Sequence, residues 1–253
     1  MAVPILIIEK LNKSFGRVQA ASNINLTFDE GVLTSVIGPN GAGKSTLINM
    51  LSGSLPVDSG RVIFQGTDIT HLPTHRRVRL GLCRSFQVVN VFPELTVFDN
   101  IQIPVLTMLN RSRKLLRSIF KEKGAQAEVN RILAMIGLVS EAQTPASALS
   151  HGDQRVLEVG IALAAKPKLL FLDEPTAGMN PVERVKILDN IRRLSAIGKT
   201  TFVIVEHDMD VVFSLSKRVI VLHHGEVIGD GTTEEIRNNP RVREVYLGEE
   251  VMV

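Results

Sequence analysis

The chain has 253 residues, which is long enough to bury a large core as one domain or as two closely packed lobes. Hydrophobic residues make up 44% and charged residues 22%, as in ordinary globular proteins, and a net charge of +3 is too small to indicate a nucleic-acid partner. The single cysteine, Cys83, excludes an internal disulfide and suits a reducing compartment. The N-terminus lacks the basic segment of a signal peptide, and no apolar run reaches the ~18 residues that span a bilayer. We therefore expect a cytoplasmic protein that works at a membrane only through partners.

The first part of the chain predicts short β segments that lead to a glycine-rich loop. The segments lie in residues 5–36, with turns at 16–17 and 29–31. Residues 32–37 form a β-branched apolar run typical of a buried strand, and residues 44–51 have the composition of a helix. Between them lies a sequence that matches the phosphate-loop pattern G-x-x-x-x-G-K-[ST] without a mismatch, Gly38-Pro39-Asn40-Gly41-Ala42-Gly43-Lys44-Ser45-Thr46.

A loop of this pattern binds the phosphates of a nucleotide. Its three glycines let the backbone wrap closely around a di- or triphosphate, so that several N–H groups and the helix N-terminus face the negative charge. Lys44 would reach the β- and γ-phosphates, and the Ser45 hydroxyl would bind Mg²⁺. The sequence therefore predicts a nucleotide-binding protein.

The segment after this helix leads to a strand that ends on an amide. Residues 61–65 predict a strand, and Thr74 is predicted to cap a short basic helix that stops at Gly81. Residues 82–87 are strand-like and end at Gln87.

From about residue 88 the patterns become helical, and they stay so until about residue 166. We interpret residues 88–166 as a helical lobe inserted into an α/β core made of residues 1–87 and 167–253, all within a single domain. Six basic residues and one acidic residue lie between residues 111 and 123. A solvated helix face or loop is favoured there over contact with anionic lipid headgroups.

The α/β alternation resumes at residue 168. Residues 169–172 and 201–205 are continuous apolar runs, typical of central parallel strands. Strands are also predicted near 218–222 and 226–228, and short helices from residue 232. The helix between the two central strands has Pro181 in its first turn, and its predicted buried stripe consists of Val182, Val185, Leu188 and Ile191.

Two carboxylates, Asp173 and Glu174, directly follow the first of these central strands. An open α/β sheet places its ligand at the C-terminal ends of its strands. Asp173 suits the oxygen shell of Mg²⁺, while Glu174, one residue further, points elsewhere and can take a proton from an attacking water. Coupled to the phosphate loop, this pair favours hydrolysis over binding alone.

Four other positions have ordinary structural interpretations when each is taken alone. Phe15 could be a core aromatic residue, and Gln87 a polar residue at a strand end. Ser150, in the sequence Leu149-Ser150-His151-Gly152-Asp153-Gln154, could be a simple helix N-cap. His207 could be a histidine with its hydrogen bonds satisfied at the end of a strand.

The order of these features along the whole chain resembles that of the ATP-binding cassette (ABC) ATPases. The resemblance implies an α/β P-loop NTPase core with an N-terminal antiparallel β portion and an inserted helical subdomain, binding ATP and Mg²⁺. It implies that Phe15 stacks on adenine with Val18 nearby, and that residues 38–46 hold the phosphates. It further implies that Gln87, with Ser45 and Asp173, serves the metal and links the γ-phosphate to the helical lobe.

The resemblance also implies a composite site. Ser150 and Gly152 are similar to the signature residues that close over the γ-phosphate held by a partner protomer, so the working enzyme would be a head-to-tail dimer. His207 resembles the switch histidine that positions the γ-phosphate and water, and Glu174 resembles the catalytic base.

Two segments depart from the family pattern. The signature reads Ser150-His151-Gly152-Asp153 where Ser-Gly-Gly-Gln is usual, which keeps the second glycine but leaves open the conformation at His151 and the role of Asp153. The D-loop segment (residues 177–181) has Asn180 where an aspartate is common, so any hydrogen bond that it makes across a dimer carries no charge.

Within the ABC proteins, the D-loop segment, the basic stretch 111–123 and the ending Val245-Tyr246-Leu247-Gly248-Glu249 resemble the ATPase subunits of branched-chain amino-acid, urea and short-chain amide importers. The expected partners are a second cassette, integral membrane permease subunits and, indirectly, a solute-binding protein. Lipopolysaccharide-export ATPases rank second. A soluble ABC ATPase acting on ribosomes or DNA stays open as a different class, although two cassettes or long insertions are usual there. A P-loop kinase would have no purpose for the signature.

Overall fold

The computed structural model describes residues 3–85, 91–108 and 123–250, and for 123 and 247–250 it describes the backbone only. Gln87 and almost all of the basic stretch 111–123 lie outside the described residues, so the predictions made for them stay predictions.

The N-terminal part of the chain forms an antiparallel sheet. Its two long strands pair through the tight turn at Gly16-Arg17 and run for twelve residues each, longer than the short segments that the sequence predicts. The strand order is β2-β1-β4-β5, with bounds β1 Pro4–Phe15, β2 Val18–Asp29, β4 Ser59–Phe64 and β5 Thr67–Asp68.

The second sheet is the central one, and all its strands but one run parallel. Its order is β10-β9-β3-β8-β7-β6, with β10 antiparallel at one edge. The strands are β3 Thr34–Ile37, β6 Leu82–Arg84, β7 Leu169–Asp173, β8 Thr201–Val205, β9 Arg218–His223 and β10 Glu226–Gly231. Strand β7 is buried on both faces, since Leu170 and Leu172 belong to one apolar cluster and Leu169 and Phe171 to another. Continuous apolar runs in the sequence have this cause.

Helices cover both faces of this sheet. Three of them, α3 to α5, pack on one another and share one apolar cluster with β7, β8 and α6. Gly160 of α5 sits where a Cβ would approach Ile136 of α4 to 2.6 Å, so these two helices pack very closely. The bounds are α1 Lys44–Ser52, α2 Thr74–Leu80, α3 Val97–Met108, α4 Lys123–Ile136, α5 His151–Ala164, α6 Pro181–Ala196, α7 Met209–Leu215, α8 Thr233–Asn238 and α9 Pro240–Glu250. The predicted fold class is confirmed, while the limits 88–166 of a helical subdomain stay a prediction.

Two local predictions are wrong. Helix α2 includes Thr74 as its first residue, and the preceding Pro73 occupies the N-cap position with no side-chain bond. The predicted stripe of α6 is also incorrect at its start, because Val182 is 79% and Val185 60% exposed. Steps of three residues turn only ~300° each, so Val182 and Ile191, three steps apart, lie on opposite sides of the helix.

Arg77 of α2 fixes the far end of the phosphate-loop helix. Its buried guanidinium donates to the carbonyls of Met50 and Leu51, in the last turn of α1, at 2.8 and 2.7 Å. It also donates to Leu72 O at 2.8 Å and to Thr70 O at 2.9 Å. Burial lowers the pKa of Arg77 to about 10, which still leaves it charged at neutral pH. A positive charge at a helix C-terminus stabilises the helix by interacting with the negative end of its dipole.

Across the part of the chain that the structure covers, no helix is both long and apolar enough to cross a bilayer.

Candidate active site

The phosphate loop runs from the end of β3 into α1, and two of its glycines are required by their surroundings. A Cβ on Gly38 would lie 2.2 Å from Leu222 O of β9. A Cβ on Gly43, which has φ +101°, would lie 2.4 Å from Ala20 O of β2. Both obstacles are backbone atoms, which cannot rotate away, so only glycine fits at these positions.

The start of α1 is suited to an anion. Gly43 is its N-cap in the left-handed conformation, without a side-chain cap, and no acidic residue lies in the first turn. The backbone N–H groups and the positive end of the helix dipole therefore meet no competing carboxylate of this helix. Lys44, the first helical residue, is buried, and its Nζ donates to Gly38 O at 2.5 Å and to Pro39 O at 3.0 Å. Ser45 follows it and is exposed.

Asp173 ends β7 at the edge of the sheet where β6 and β8 also end, and it is buried there. Its Oδ2 accepts a hydrogen bond of 2.6 Å from Arg84 Nη2, at the end of the neighbouring strand β6. Arg84 also donates to Asn49 Oδ1 of α1, so one guanidinium connects the phosphate-loop helix to the strand-end carboxylate. Sequence reasoning missed Arg84. The available signal was a charged residue within the strand predicted at residues 82–87.

Glu174 and His207 meet because β7 and β8 are adjacent parallel strands. Glu174 adopts φ +44°, and its N–H donates to Val205 O of β8 at 2.9 Å. Its Oε1 lies 3.7 Å from Nδ1 of His207, whose side chain is exposed. The structure thus brings together the predicted base and the predicted switch histidine.

A second carboxylate next to His207 was not predicted. Glu206 is only 1% exposed, and its Oε1 accepts hydrogen bonds from Thr176 N at 3.2 Å and Thr176 Oγ1 at 2.6 Å. Its Oε2 accepts from His207 N at 3.3 Å and lies 4.0 Å from His207 Nδ1. Burial raises the pKa of Glu206, and the hydrogen bonds from Thr176 and His207 oppose that shift. An acid that closes an apolar strand was the available signal.

Ser150 and Gly152 form the start of α5. Ser150 is the N-cap, and its Oγ accepts from Asp153 N at 3.1 Å. Gly152 is buried, and its N–H donates to Oε1 of Glu183 on α6 at 3.2 Å. Lys186 of α6 pairs with Asp153. The contacts of the signature segment therefore lead to α6, whose N-cap is Asn180.

Phe15 and Val18 flank the turn between β1 and β2, where both side chains are at least half exposed. Strand β2 approaches the phosphate loop through Ala20, whose carbonyl oxygen faces Gly43. The hairpin with the two predicted adenine-binding residues therefore emerges beside the loop. Lys13 Nζ lies 5.6 Å from the centroid of the Phe15 ring.

The structure thus defines a P-loop nucleotide hydrolase, with a phosphate loop after β3 and an acidic pair after β7 on one edge of a parallel sheet. The chain belongs to the ABC transporter family, whose sequence model matches residues 21–177. A second model, described as branched-chain amino acid ATP-binding cassette transporter, matches residues 226–251. The chain is accordingly an ABC-type ATP hydrolase.

Curated relatives match over almost the whole chain. The high-affinity branched-chain amino acid transport ATP-binding protein BraF of Pseudomonas aeruginosa is 36% identical, over 98% of this chain and 100% of that protein. LivG of Escherichia coli K12, which carries the same description, is also 36% identical with the same coverage. The probable LivG of Archaeoglobus fulgidus is 37% identical over 96% of this chain and 95% of that protein.

Solved structures confirm the fold. An ATP-binding cassette of an ABC transporter in its ADP conformation matches with a TM-score of 0.84 and 32% identity, covering 97% of this chain and 99% of that chain. A dimeric cassette in a post-hydrolysis state, bound to ADP and Pi, matches with a TM-score of 0.74 and 25% identity over 90% of this chain and 98% of that chain.

Proposed function

We propose that this chain is the ATP-hydrolysing subunit of an importer for branched-chain amino acids or related small solutes. It works as a dimer of cassettes on a membrane permease. A solute-binding protein delivers the solute to that permease. The observation that carries the proposal is the convergence of the phosphate loop, Asp173, Glu174 and His207 at the C-terminal ends of three neighbouring strands. The cargo rests on the relatives that are described as branched-chain amino acid transport ATP-binding proteins.

The residues of the site fit a magnesium–nucleotide complex. At Gly38 and Gly43 a Cβ would collide with backbone atoms, so the loop can follow this path only with glycine there. The start of α1 has no side-chain cap, so its N–H groups are available to phosphate. Ser45 and Asp173 supply the oxygen ligands that Mg²⁺ prefers, and Arg84 engages only Oδ2 of Asp173. When bound, Mg²⁺ neutralises phosphate charge and polarises the γ-phosphoryl group.

The side chains of the chain then divide the work. Lys44 exchanges its bonds to loop carbonyls for phosphate oxygens, which it attracts as a buried positive charge. Glu174 accepts a proton from the attacking water, and the exposed imidazole of His207 lies beside it to orient water and γ-phosphate. Gln87 lies outside the described residues, and its role as a sensor of metal and γ-phosphate is part of this proposal. Phe15 and Val18 offer the exposed apolar surface on which adenine stacks.

The dimer is proposed because Ser150 caps α5 and Gly152 of α5 contacts Glu183 of α6, so neither forms part of the phosphate loop of its own chain. In a head-to-tail pair they would complete the site of the partner. A related cassette solved as a dimer with ADP and Pi supports a dimer of cassettes.

Permease docking is proposed for the surface around Phe92. The side chain of Phe92 is 55% exposed, while Val91 is partly buried against the apolar cluster shared with the helices. Residues 88–90, which directly precede Val91, lie outside the described residues. A cavity of about 320 Å³ opens beside Phe92, lined by Arg84 and Ser85 of the core edge and by Ile161 and Ala162 of α5. An apolar side chain at the mouth of such a cavity suits contact with another protein.

The direct test is Glu174→Gln, which keeps the shape of the side chain and removes its basicity. ATP should still bind, turnover should fall by a factor of about 10²–10⁴, and dimer should accumulate with ATP and Mg²⁺. Glu30→Gln is the matched control, since Glu30 is an exposed glutamate beside Gly31, whose N–H binds Thr201 at the opposite end of β8. Near-normal hydrolysis by Glu174→Gln would show that Glu174 is not the base.

The cargo is tested by uptake of labelled leucine, urea and acetamide in a host strain that lacks this chain. Re-introduced wild-type chain should restore leucine uptake, and the Glu174→Gln chain should not. Recovery of urea or acetamide uptake alone would move the protein to the amide branch of this group of importers. Recovery of none of the three would leave the ATPase assignment standing and remove the importer assignment.

A further inference from the structure

One buried ionisable group beside the site has no part in the scheme above. Glu206 lies directly after β8, and its carboxylate is 1% exposed. Burial of a carboxylate is costly unless donors surround it. Thr176 supplies two donors to Oε1, and the His207 backbone supplies one to Oε2. The chain has thus built a dedicated set of donors around this one acid.

The same carboxylate faces the imidazole of His207. Its Oε2 is 4.0 Å from Nδ1, and Oε1 of Glu174 is 3.7 Å from the same nitrogen. The two acids differ in exposure, because the side chain of Glu174 is 25% exposed while that of Glu206 is 1% exposed and is held by three hydrogen bonds. When Glu174 turns to the attacking water, Glu206 remains as the fixed anion next to Nδ1.

Thr176 gives the contact a second consequence. It lies three residues after Asp173 and four residues before Asn180, in the segment that leads from the acidic pair to the D-loop segment. Its backbone is part of the turn there, since Met179 N donates to Thr176 O at 3.3 Å. Glu206 therefore ties the end of β8, which bears His207, to the segment that bears Glu174 and Asn180.

We propose that Glu206 is a positioning residue for ATP hydrolysis. It orients the His207 ring with Nδ1 towards the two carboxylates, so that Nε2 faces outward. It also fixes the position of His207 relative to the segment from Glu174 to Asn180. The proposal rests on the proposed function only in that His207 serves the γ-phosphate.

A double-mutant cycle tests whether Glu206 acts through His207. Glu206→Gln keeps one acceptor for Thr176 and replaces an acceptor on the His207 side by a donor. We expect kcat to fall by about 10-fold or more, with the Kd for ATP changed by less than about twofold. In a His207→Ala background the same change should alter the residual kcat by less than about threefold, because the group through which it acts is gone.

Thr201→Val is the matched control. Thr201 is also buried on β8, and its Oγ1 accepts a hydrogen bond from Gly31 N at 2.9 Å, but it lies at the strand end far from His207. Its loss should lower the melting temperature and leave kcat and the histidine spectrum unchanged. Thr176→Val, which removes the 2.6 Å hydroxyl bond to Glu206, should reproduce the direction of the Glu206→Gln effect on kcat.

A spectroscopic readout needs no nucleotide. The side-chain ¹⁵N signals of His207, assigned by their loss in His207→Ala among the six histidines, report the tautomer of the neutral ring. Wild type should favour the Nδ1–H tautomer, and Glu206→Gln should shift the ring towards Nε2–H. An unchanged tautomer, or kcat losses that multiply in the double variant, would overturn the proposal. Failure of Glu174→Gln to block hydrolysis would instead count against the proposed function and leave the tautomer result interpretable.

Discussion

Replacement of Arg77 by methionine provides a quantitative test of how the phosphate-loop helix is held in place. Methionine keeps an apolar stem of similar length and removes the guanidinium. Four hydrogen bonds are lost, two of them to the final carbonyls of α1. Met50 O retains a bond from Gly53 N at 3.2 Å, so the full loss does not fall on every carbonyl.

The magnitude follows from these bonds. A buried acceptor that loses its donor costs about 1–3 kcal/mol, and four carbonyls lose a bond here. Burial lowers the pKa of Arg77 to about 10, which shows that the guanidinium itself is costly to desolvate and that its removal returns part of the loss. We therefore expect about 3–5 kcal/mol of destabilisation, which for a chain of this size is a decrease in melting temperature of about 6–20 °C.

The assay is thermal and urea unfolding followed by circular dichroism, with Arg79→Met as control. Arg79 lies on the same helix but is exposed, so its replacement should change stability by less than about 0.5 kcal/mol. Arg77→Lys should recover little, because an ammonium group cannot reproduce the planar array of donors. A loss below about 1 kcal/mol in Arg77→Met would refute the view that this residue secures the end of α1.

Three further predictions test the site. If each active site combines residues of two protomers, mixing Lys44→Ala chains with Ser150→Ala chains should restore ATPase activity. A purified mixed dimer of the two variants that stays inactive would argue against a shared active site. Phe92→Ser should leave folding and basal ATPase activity nearly unchanged, but the variant chain should no longer be recovered in the membrane fraction. A lower melting temperature would instead place Phe92 in the core. Burial raises the pKa of Glu206 above its ordinary value of 4.5, so its contribution to stability is fully present below that pH and is lost as the pH rises through the folded pKa. The melting temperature of Glu206→Gln relative to wild type should therefore increase as the pH rises above 4.5, and a constant difference would contradict the shift.

The sequence was sufficient for the elements whose physics is local. The phosphate loop, the two central strands and the acids after the first of them each follow from a contiguous run of residues. The capping box of α6, which was not predicted, is equally local, since Asn180 accepts from Glu183 N at 3.0 Å three residues away. Such patterns survive folding because the contacts that they need are only a few residues apart.

The residues that sequence analysis missed owe their roles to contacts between positions far apart in the chain, which no local pattern predicts. Arg84 and Asp173 are 89 positions apart, and Glu206 and Thr176 are 30 apart. Their pairing follows from the strand order, with β6 beside β7 and β7 beside β8, which no local pattern specifies. The error at Val182 has another origin, because a stripe of three-residue steps drifts around a helix of 3.6 residues per turn.

The two departures from the family pattern can be explained together, because the signature segment contacts the helix α6 that Asn180 caps. Asn180 serves as an acceptor, and its Oδ1 accepts hydrogen bonds from the N–H groups of Val182 and Glu183 at 3.0 Å each. Glu183 then closes the capping box and reaches the N–H of Gly152.

Asp153, where glutamine is usual, has a corresponding partner. Lys186 lies one turn along α6 from Val182, and it pairs with Asp153 while Asp153 also accepts from Ser150 Oγ at 3.0 Å. An acid in the signature is therefore neutralised by a base on α6, and the amide at Asn180 leaves Glu183 as the only carboxylate of that capping box. The negative charge that Asp153 adds to the signature is thus balanced by Lys186 of α6. This balance is why we expect the altered signature to support phosphate binding, since Asp153 is held to Lys186 and Ser150 instead of repelling a nucleotide.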